Sequence, residues 1–148
     1  MTMKFFYGPR TCALAARIAL EEAGASYEPV KVDFASGEQT KPAYLAVNPK
    51  GRVPALVTDR GVLTENVAIL AFVAQSHPEK NLAPLNDPFA FAEMQAFNSY
   101  LASPVHVNHA HKHRGARWAT EESSFLDMRR KVPETMAASF ALIENEFF

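Results

Sequence analysis

The chain has a single cysteine, Cys12. One thiol excludes an intrachain disulfide, a CxxC redox pair and a cysteine-based zinc site. Neither sign of charge dominates: 15 Lys and Arg stand against 16 Asp and Glu, for a formal net charge of −1. Nothing in that balance favours a nucleic-acid backbone or an anionic membrane, so neither is expected as a partner. Long hydrophobic runs are also missing. The longest strongly apolar stretch, "VAILAFVA" at 67–74, falls far short of the roughly 20 residues that span a bilayer. The N-terminal stretch carries one early lysine and no long apolar core, so no secretory leader is expected. These absences point to a soluble, cytoplasmic protein. What is present suffices for a real core. With 148 residues, 48% of them hydrophobic, the chain is one large domain or two small ones, and about 68–70% of its unfolded surface can be buried.

"MKFFY" (3–7) reads as a short buried strand ended by Gly8-Pro9. Thr11 is a plausible N-cap for a helix from Cys12 to Ala23, and Gly24 supplies the left-handed position after it. In "YEPVKVDF" (27–34) Val30, Val32 and Phe34 face one way while Lys31 and Asp33 face the other, the period of a strand. The stretch 35–51 is polar and broken by Pro42, Pro49 and Gly51, an irregular connection with one helical turn near Tyr44. "VPALVT" (53–58) and Val62-Leu63 form a hairpin with Asp59-Arg60-Gly61 at the turn. Thr64 can cap a helix reaching Ser76, with Val67, Leu70, Ala71 and Ala74 as its apolar stripe. The order β-α-β, then β-β-α, predicts a mixed four-stranded sheet with its first two strands parallel. "HPEKNLAPLNDP" (77–88), with three prolines, is a linker by composition. Helices follow: one over roughly 88–113, and another from near Glu121 with Pro133 in a new first turn or at a kink. Val132, Met136, Phe140, Ile143 and Phe147 form the apolar face of the last. There is no internal repeat.

Why the lone thiol stands where a strand ends and a helix begins has a physical answer. Unsatisfied N–H groups and the positive end of the helix dipole favour an anion in a first helical turn. A thiol there is acidified and more nucleophilic. Arg10 adds positive potential, and Tyr7, at the strand end, can offer its hydroxyl to the same spot. The competing reading makes Cys12 a small buried hydrophobe at the helix–sheet contact. A second helix start, at "LTENVAIL", favours the first, because two such starts converging on one cleft can hold the acidic parts of one ligand. Glu65 in that turn can bind an amine, or merely compensate the helix dipole. Val53-Pro54 adds a third wall, whether the bond is cis or an ordinary trans bond at a strand start.

Together these residues resemble the glutathione transferase family, and within it the bacterial beta-type members that carry a cysteine. The resemblance rests on "FYGPRTCALAARIALEEAG" (6–24), on "YLAVNPKGRVPALVTDRGVLTENVAIL" (44–70) and on the proline-rich step into helices. It implies an α/β thioredoxin-like domain over 1–77, a linker over 78–87 and an all-α domain, here partial, over 88–148. It also implies glutathione as co-substrate, with no metal, an electrophilic small molecule as second substrate, and a homodimer. By the same resemblance, Cys12, Tyr7 and His106 are catalytic. Cys12 would sit beside the glutathione sulfur, and the Val53 backbone would pair with the cysteinyl unit ahead of a cis Pro54. Glu65 and Asn66 would hold the γ-glutamyl end, and Arg10, Ser103 and His106 complete the glutathione-binding set. The sequence departs from the family where a lysine commonly follows the second strand: Ser36 or Gly37 stands there, and Lys41 comes later. Val107 replaces a typical lysine, and Ser99 a common asparagine. The family's helical domain also extends further, so the resemblance implies a truncated chain or a reduced variant.

His106, His109 and His113 fall at i, i+3 and i+7, one helical face able to hold a metal. No carboxylate or thiol lies close in sequence to complete a first shell. The plainer reading is a polar face with His106 alone lining the cleft. The function implied is activation of the glutathione thiol, for conjugation to electrophiles or for thiol/disulfide exchange. The alternatives are a non-catalytic glutathione-fold binding or dimerisation module and a single-cysteine redox sensor.

Overall fold

A computed structural model of the chain describes residues 2–147. "MKFFY" is the strand β1 (Met3–Tyr7), with Phe5 fully buried at its centre and half-buried residues on either side. The helix α1 (Ala13–Ala23) begins one residue later than the sequence predicts. Thr11 still serves its start: Oγ1 accepts from the Ala13 N–H at 3.3 Å and donates to the Gly8 carbonyl at 2.7 Å. Gly24 ends the helix at φ +65°, its N–H bonded to the Glu21 and Leu20 carbonyls. A side chain is disfavoured in that conformation, which is why glycine stands there. Ala13, Ala16, Leu20 and Ala23 form the buried stripe of α1, and its small residues allow close approach to the sheet.

The strand β2 (Tyr27–Lys31) pairs parallel with β1, and the short helix α2 (Pro42–Leu45) lies in the long connection that follows. β2 stops three residues before the predicted end, although Val32 beyond it is buried. Pro29 is tolerated because β2 is an edge strand with no ladder partner needed on one side. The hairpin of β3 (Ala55–Thr58) and β4 (Gly61–Thr64) is antiparallel and completes a mixed sheet in the order β2-β1-β3-β4. Gly61 opens β4 opposite Thr58, so the turn is Asp59-Arg60 alone. Phe5 pairs with Leu56 across β1 and β3, and both are fully buried. Around them Ala16, Leu20, Val32, Tyr44, Ile69 and Val73 close the core.

The helix α3 (Asn66–Ser76) corrects two expectations. Thr64 is the last residue of β4 rather than a cap, and Glu65 occupies the capping position. The buried face is Ile69, Val73 and Ala74; of the predicted stripe Ala74 is buried, whereas Val67, Leu70 and Ala71 are only half-buried. A helix apolar on every side has no face of its own; packing against α1 selects one.

The chain divides into two compact units between Met94 and Gln95, inside the helix α4 (Pro88–Tyr100). In the second unit the helical run widens into a π-helical segment, Leu101–Val105, that contains Pro104. Proline lacks an N–H to donate, and a π-bulge absorbs the misfit. The short helix α5 (His106–Ala110) follows, then α6 (Glu122–Phe147), which continues unbroken across Pro133. Its buried residues are Val132, Ser139 and Ile143, whereas Phe140 is 58% exposed. Ser139 takes the inward place because it is paired: its Oγ accepts from Asn108 Nδ2 at 3.2 Å and donates to the Thr135 carbonyl at 2.9 Å. Phe147 meets the rings of Phe97 and Tyr100 at 4.6 and 6.5 Å. Met1 and Phe148 lie outside the described residues. Among those residues no helix is long and apolar enough to cross a membrane.

Candidate functional site

The site is built where β1 hands the chain to α1. Gly8 packs so tightly under Phe34 that a Cβ would come within 2.6 Å of the ring, and Arg10 takes a left-handed φ of +57°. This sharp turn delivers Cys12 to the step before α1 with an exposed side chain. The reading of Cys12 as a buried hydrophobe therefore fails: a thiol at the end of this turn points outward while Ala13 and Ala16 take the inward positions. Its Sγ donates to the Val53 carbonyl at 3.6 Å, across 41 residues of sequence.

Val53 is held from behind. The Val53-Pro54 bond is cis, Val53 stands just outside the β3 ladder, and its carbonyl faces Cys12. The preceding carbonyl, of Arg52, accepts from Tyr44 Oη at 2.6 Å and from Asn48 Nδ2 at 2.7 Å. Asn48 is 1% exposed and its Oδ1 also accepts the Lys50 N–H at 3.2 Å. Burial pushes the Tyr44 phenol up to about 12, so it remains a donor throughout the neutral range. Gly51, at φ +61°, completes the bracket beside the Gln39 carbonyl. Tyr44, Asn48 and Lys50 were not among the predicted site residues. Asn-Pro followed by Gly in "NPKG" was the available signal, since it marks a turn whose side-chain amide has backbone groups to bind.

The second helix start does reach the first. Asn66, the first residue of α3, donates from Nδ2 to the Cys12 carbonyl at 2.7 Å, 54 residues away. Its Oδ1 is buried with no hydrogen-bond partner among the described residues. Glu65 sits at φ +72°, ψ 131°, a region a non-glycine residue occupies only when its surroundings impose it. Its carboxylate accepts from Lys50 Nζ, which also donates to Thr64 Oγ1 at 2.8 Å. Cys12, Val53, Pro54, Glu65 and Asn66 are thus joined by direct contacts or chain neighbours within one unit.

Of the other predicted residues, Tyr7 and Arg10 belong to the first unit and Ser103 and His106 to the second. The Tyr7 ring stacks parallel to Phe5 at 6.3 Å, and the Arg17 guanidinium lies 4.9 Å over it. Arg10 is exposed in the turn. Ser103, in the π-helical segment, and His106, opening α5, are exposed on the second unit. The histidine stripe does not survive folding. α5 ends at Ala110 and His113 follows in a turn, so the i+7 spacing no longer describes one helical face. His111 packs edge-on against Trp118 at 4.5 Å. Among the described residues no group of three or more His, Cys, Asp or Glu is placed to hold a metal ion.

Residues 1–75 match the family model of the glutathione S-transferase N-terminal domain. The chain belongs to the glutathione S-transferase family. It is 42% identical over 107 residues to glutathione S-transferase GstA of Escherichia coli O157:H7, covering 70% of this chain and 53% of that protein. Among solved structures it is similar to a glutathione transferase homolog from Sulfitobacter with bound glutathione: 51% identity, TM-score 0.94, 98% of this chain and 70% of the other. It is also similar to a sphingomonad glutathione S-transferase complexed with glutathione, at 35% identity and TM-score 0.80, covering 97% and 69% of the two chains. The chain spans about half the length of the curated relatives it matches. The family fold, a thioredoxin-like domain followed by an all-helical one, accounts for the order of elements in both units.

Proposed function

We propose that the first unit binds glutathione in the cleft bounded by Cys12, Val53 and the Glu65–Asn66 step, and that the protein is a glutathione transferase. The observation that carries this reading is the meeting of two helix starts at Cys12, where Asn66 holds the Cys12 carbonyl and Val53 faces the sulfur. An exposed carboxylate, Glu65, suits the ammonium of a γ-glutamyl group. The orphaned Asn66 Oδ1 and the N–H groups opening α3 suit the polar atoms beside it. The Val53 backbone stands outside the ladder, where an extended peptide can pair with it as an added strand would. Similarity to two proteins solved with glutathione supports the same ligand. A cytoplasmic setting rests on the composition of the sequence; the electrophilic second substrate and the homodimer follow from the family resemblance. So do the roles of Ser103 and His106.

Two chemistries fit a thiol peptide lying beside Cys12. In conjugation, the glutathione thiolate attacks an electrophilic carbon and displaces its leaving group. In exchange, the Cys12 thiolate attacks the glutathionyl sulfur of a mixed disulfide and expels the other thiolate; a second glutathione thiolate then attacks the Cys12-bound glutathionyl sulfur, leaving as glutathione disulfide and regenerating the Cys12 thiolate. The exposure of Cys12 favours the second, because disulfide exchange needs direct access of one sulfur to another. Calorimetric titration with glutathione tests the binding reading, and turnover of a chlorodinitrobenzene substrate and of a mixed disulfide tests the chemistry. Cys12→Ala is expected to abolish exchange, a loss of roughly 10²-fold or more, while leaving glutathione binding within about threefold. Absence of any glutathione binding by the unaltered chain refutes the proposal.

A further inference from the structure

Lys50 joins two walls of the cleft that are far apart in sequence. Its ammonium donates to Thr64 Oγ1 at 2.8 Å and to Glu65 Oε1, while its own N–H is tied to Asn48 Oδ1 at 3.2 Å. Asn48 in turn holds the Arg52 carbonyl ahead of Val53-Pro54. One side chain therefore latches the loop that presents Val53 to the step that presents Glu65.

Glu65 needs such a latch. At φ +72° it stands outside the helical run, so no neighbouring turn fixes the direction of its side chain. A glutamate left to sample its rotamers must be ordered by the ligand, and that cost is subtracted from affinity. A carboxylate offers about four lone-pair sites, of which Lys50 takes one on Oε1, so Oε2 can accept from a second cation. The opposing effect is repulsion between the Lys50 ammonium and an arriving ligand ammonium. The Lys50 and Glu65 side chains are 45% and 65% exposed, so water and salt screen that repulsion while one carboxylate bridges both cations.

Resting on the glutathione reading above, we propose that Lys50 is a positioning residue. It holds the Glu65 carboxylate ready for the ammonium of a γ-glutamyl peptide and thereby sets the preference for ligands that carry that amine. The test uses the full chain, glutathione, and a glutathione analogue lacking the α-amino group of its glutamyl end. Lys50→Met is expected to raise the Kd for glutathione by roughly three- to tenfold, with the analogue unchanged within about twofold. Lys50→Arg, which keeps the charge and can reach both acceptors, is expected to restore most of the loss. In turnover the effect is expected in KM, with kcat within about twofold. Equal weakening for both ligands, no change, or tighter glutathione binding in Lys50→Met overturns the proposal, the last by showing that Lys50 competes with the ligand. An unaltered chain that binds no glutathione refutes the functional reading and this inference together. One that binds it but is indifferent to Lys50→Met refutes this inference alone.

Discussion

The two units bury their apolar side chains to very different degrees. In the first, Phe5, Ala13, Ala16, Leu20, Leu56 and Ile69 are fully buried around the sheet, although Leu14 and Ile18 on α1 stay more than half exposed. In the second, the buried residues are Ala110, Gly115, Val132, Ser139 and Ile143, and α6 leaves Leu126, Phe140, Leu142 and Phe147 more than 40% exposed. A sheet with helices packed on it closes a core from elements distant in sequence. A pair of helices can cover only one face of each. The candidate thiol and both helix starts around it belong to the unit with the closed core, as geometry held to a fraction of an ångström requires.

The sharpest way to break this contrast is to remove a ring from the first core. Phe5→Ala is expected to destabilise the protein by about 3–5 kcal/mol, because the ring fills the middle of the sheet opposite Leu56. A loss below about 1 kcal/mol in urea unfolding would mean that the core tolerates a void there. Within α6 the paired substitutions Ile143→Ala and Phe140→Ala separate buried from exposed aromatic and aliphatic surface. The first is expected to cost about 2 kcal/mol, at the low end for such sites since Ile143 is at the edge of burial, and the second less than about 0.5 kcal/mol. Equal costs would show that Phe140 is covered in solution, for instance by another copy of the chain. Asn108→Ala is a smaller probe, expected to cost about 1 kcal/mol by leaving the buried Ser139 hydroxyl without its donor.

A different kind of probe is a pH dependence confined to the first unit. The folded-state pKa of Tyr44 is raised to about 12 from an ordinary 10.0 because burial disfavours the phenolate. The unfolded chain therefore loses that proton first. The contribution of Tyr44 is fully present below pH 10 and is lost as pH rises from 10 toward 12. Unfolding midpoints measured between pH 9 and 12 should fall over that window, and Tyr44→Phe should flatten the decline. An unchanged alkaline limb in Tyr44→Phe would assign the decline to other groups.

How much of this was legible beforehand varied by residue type. Gly24 announced the end of α1, Gly8-Pro9 the end of β1, and the hairpin signal of "VPALVT" before Asp59-Arg60-Gly61 the strand β3, because each is a local steric or turn signal. The roles of Tyr44, Asn48 and Lys50 were not legible. A polar side chain in an irregular loop carries no periodicity, and whether it meets a backbone carbonyl depends on how the loop folds back. The histidine stripe misled for a related reason: spacing along an assumed helix fails once the helix stops at Ala110. Phe140 misled as well, since hydrophobicity alone ranked it above Ser139 for the inward place.

The sequence by itself determined the elements of the first unit, the thiol at a helix start and the family to which the chain belongs. Those depend on short-range sterics, hydrogen-bonding capacity and motif spacing, all of which are carried along the chain. Only the tertiary structure decided that Asn66 meets the Cys12 carbonyl, that Val53 turns its own carbonyl toward the sulfur, and that α3 buries Ile69 and Val73. These are contacts across 41 and 54 residues or choices among equivalent apolar faces. Packing settles such choices, because many arrangements share the same local preferences and differ only in which surfaces they bring together.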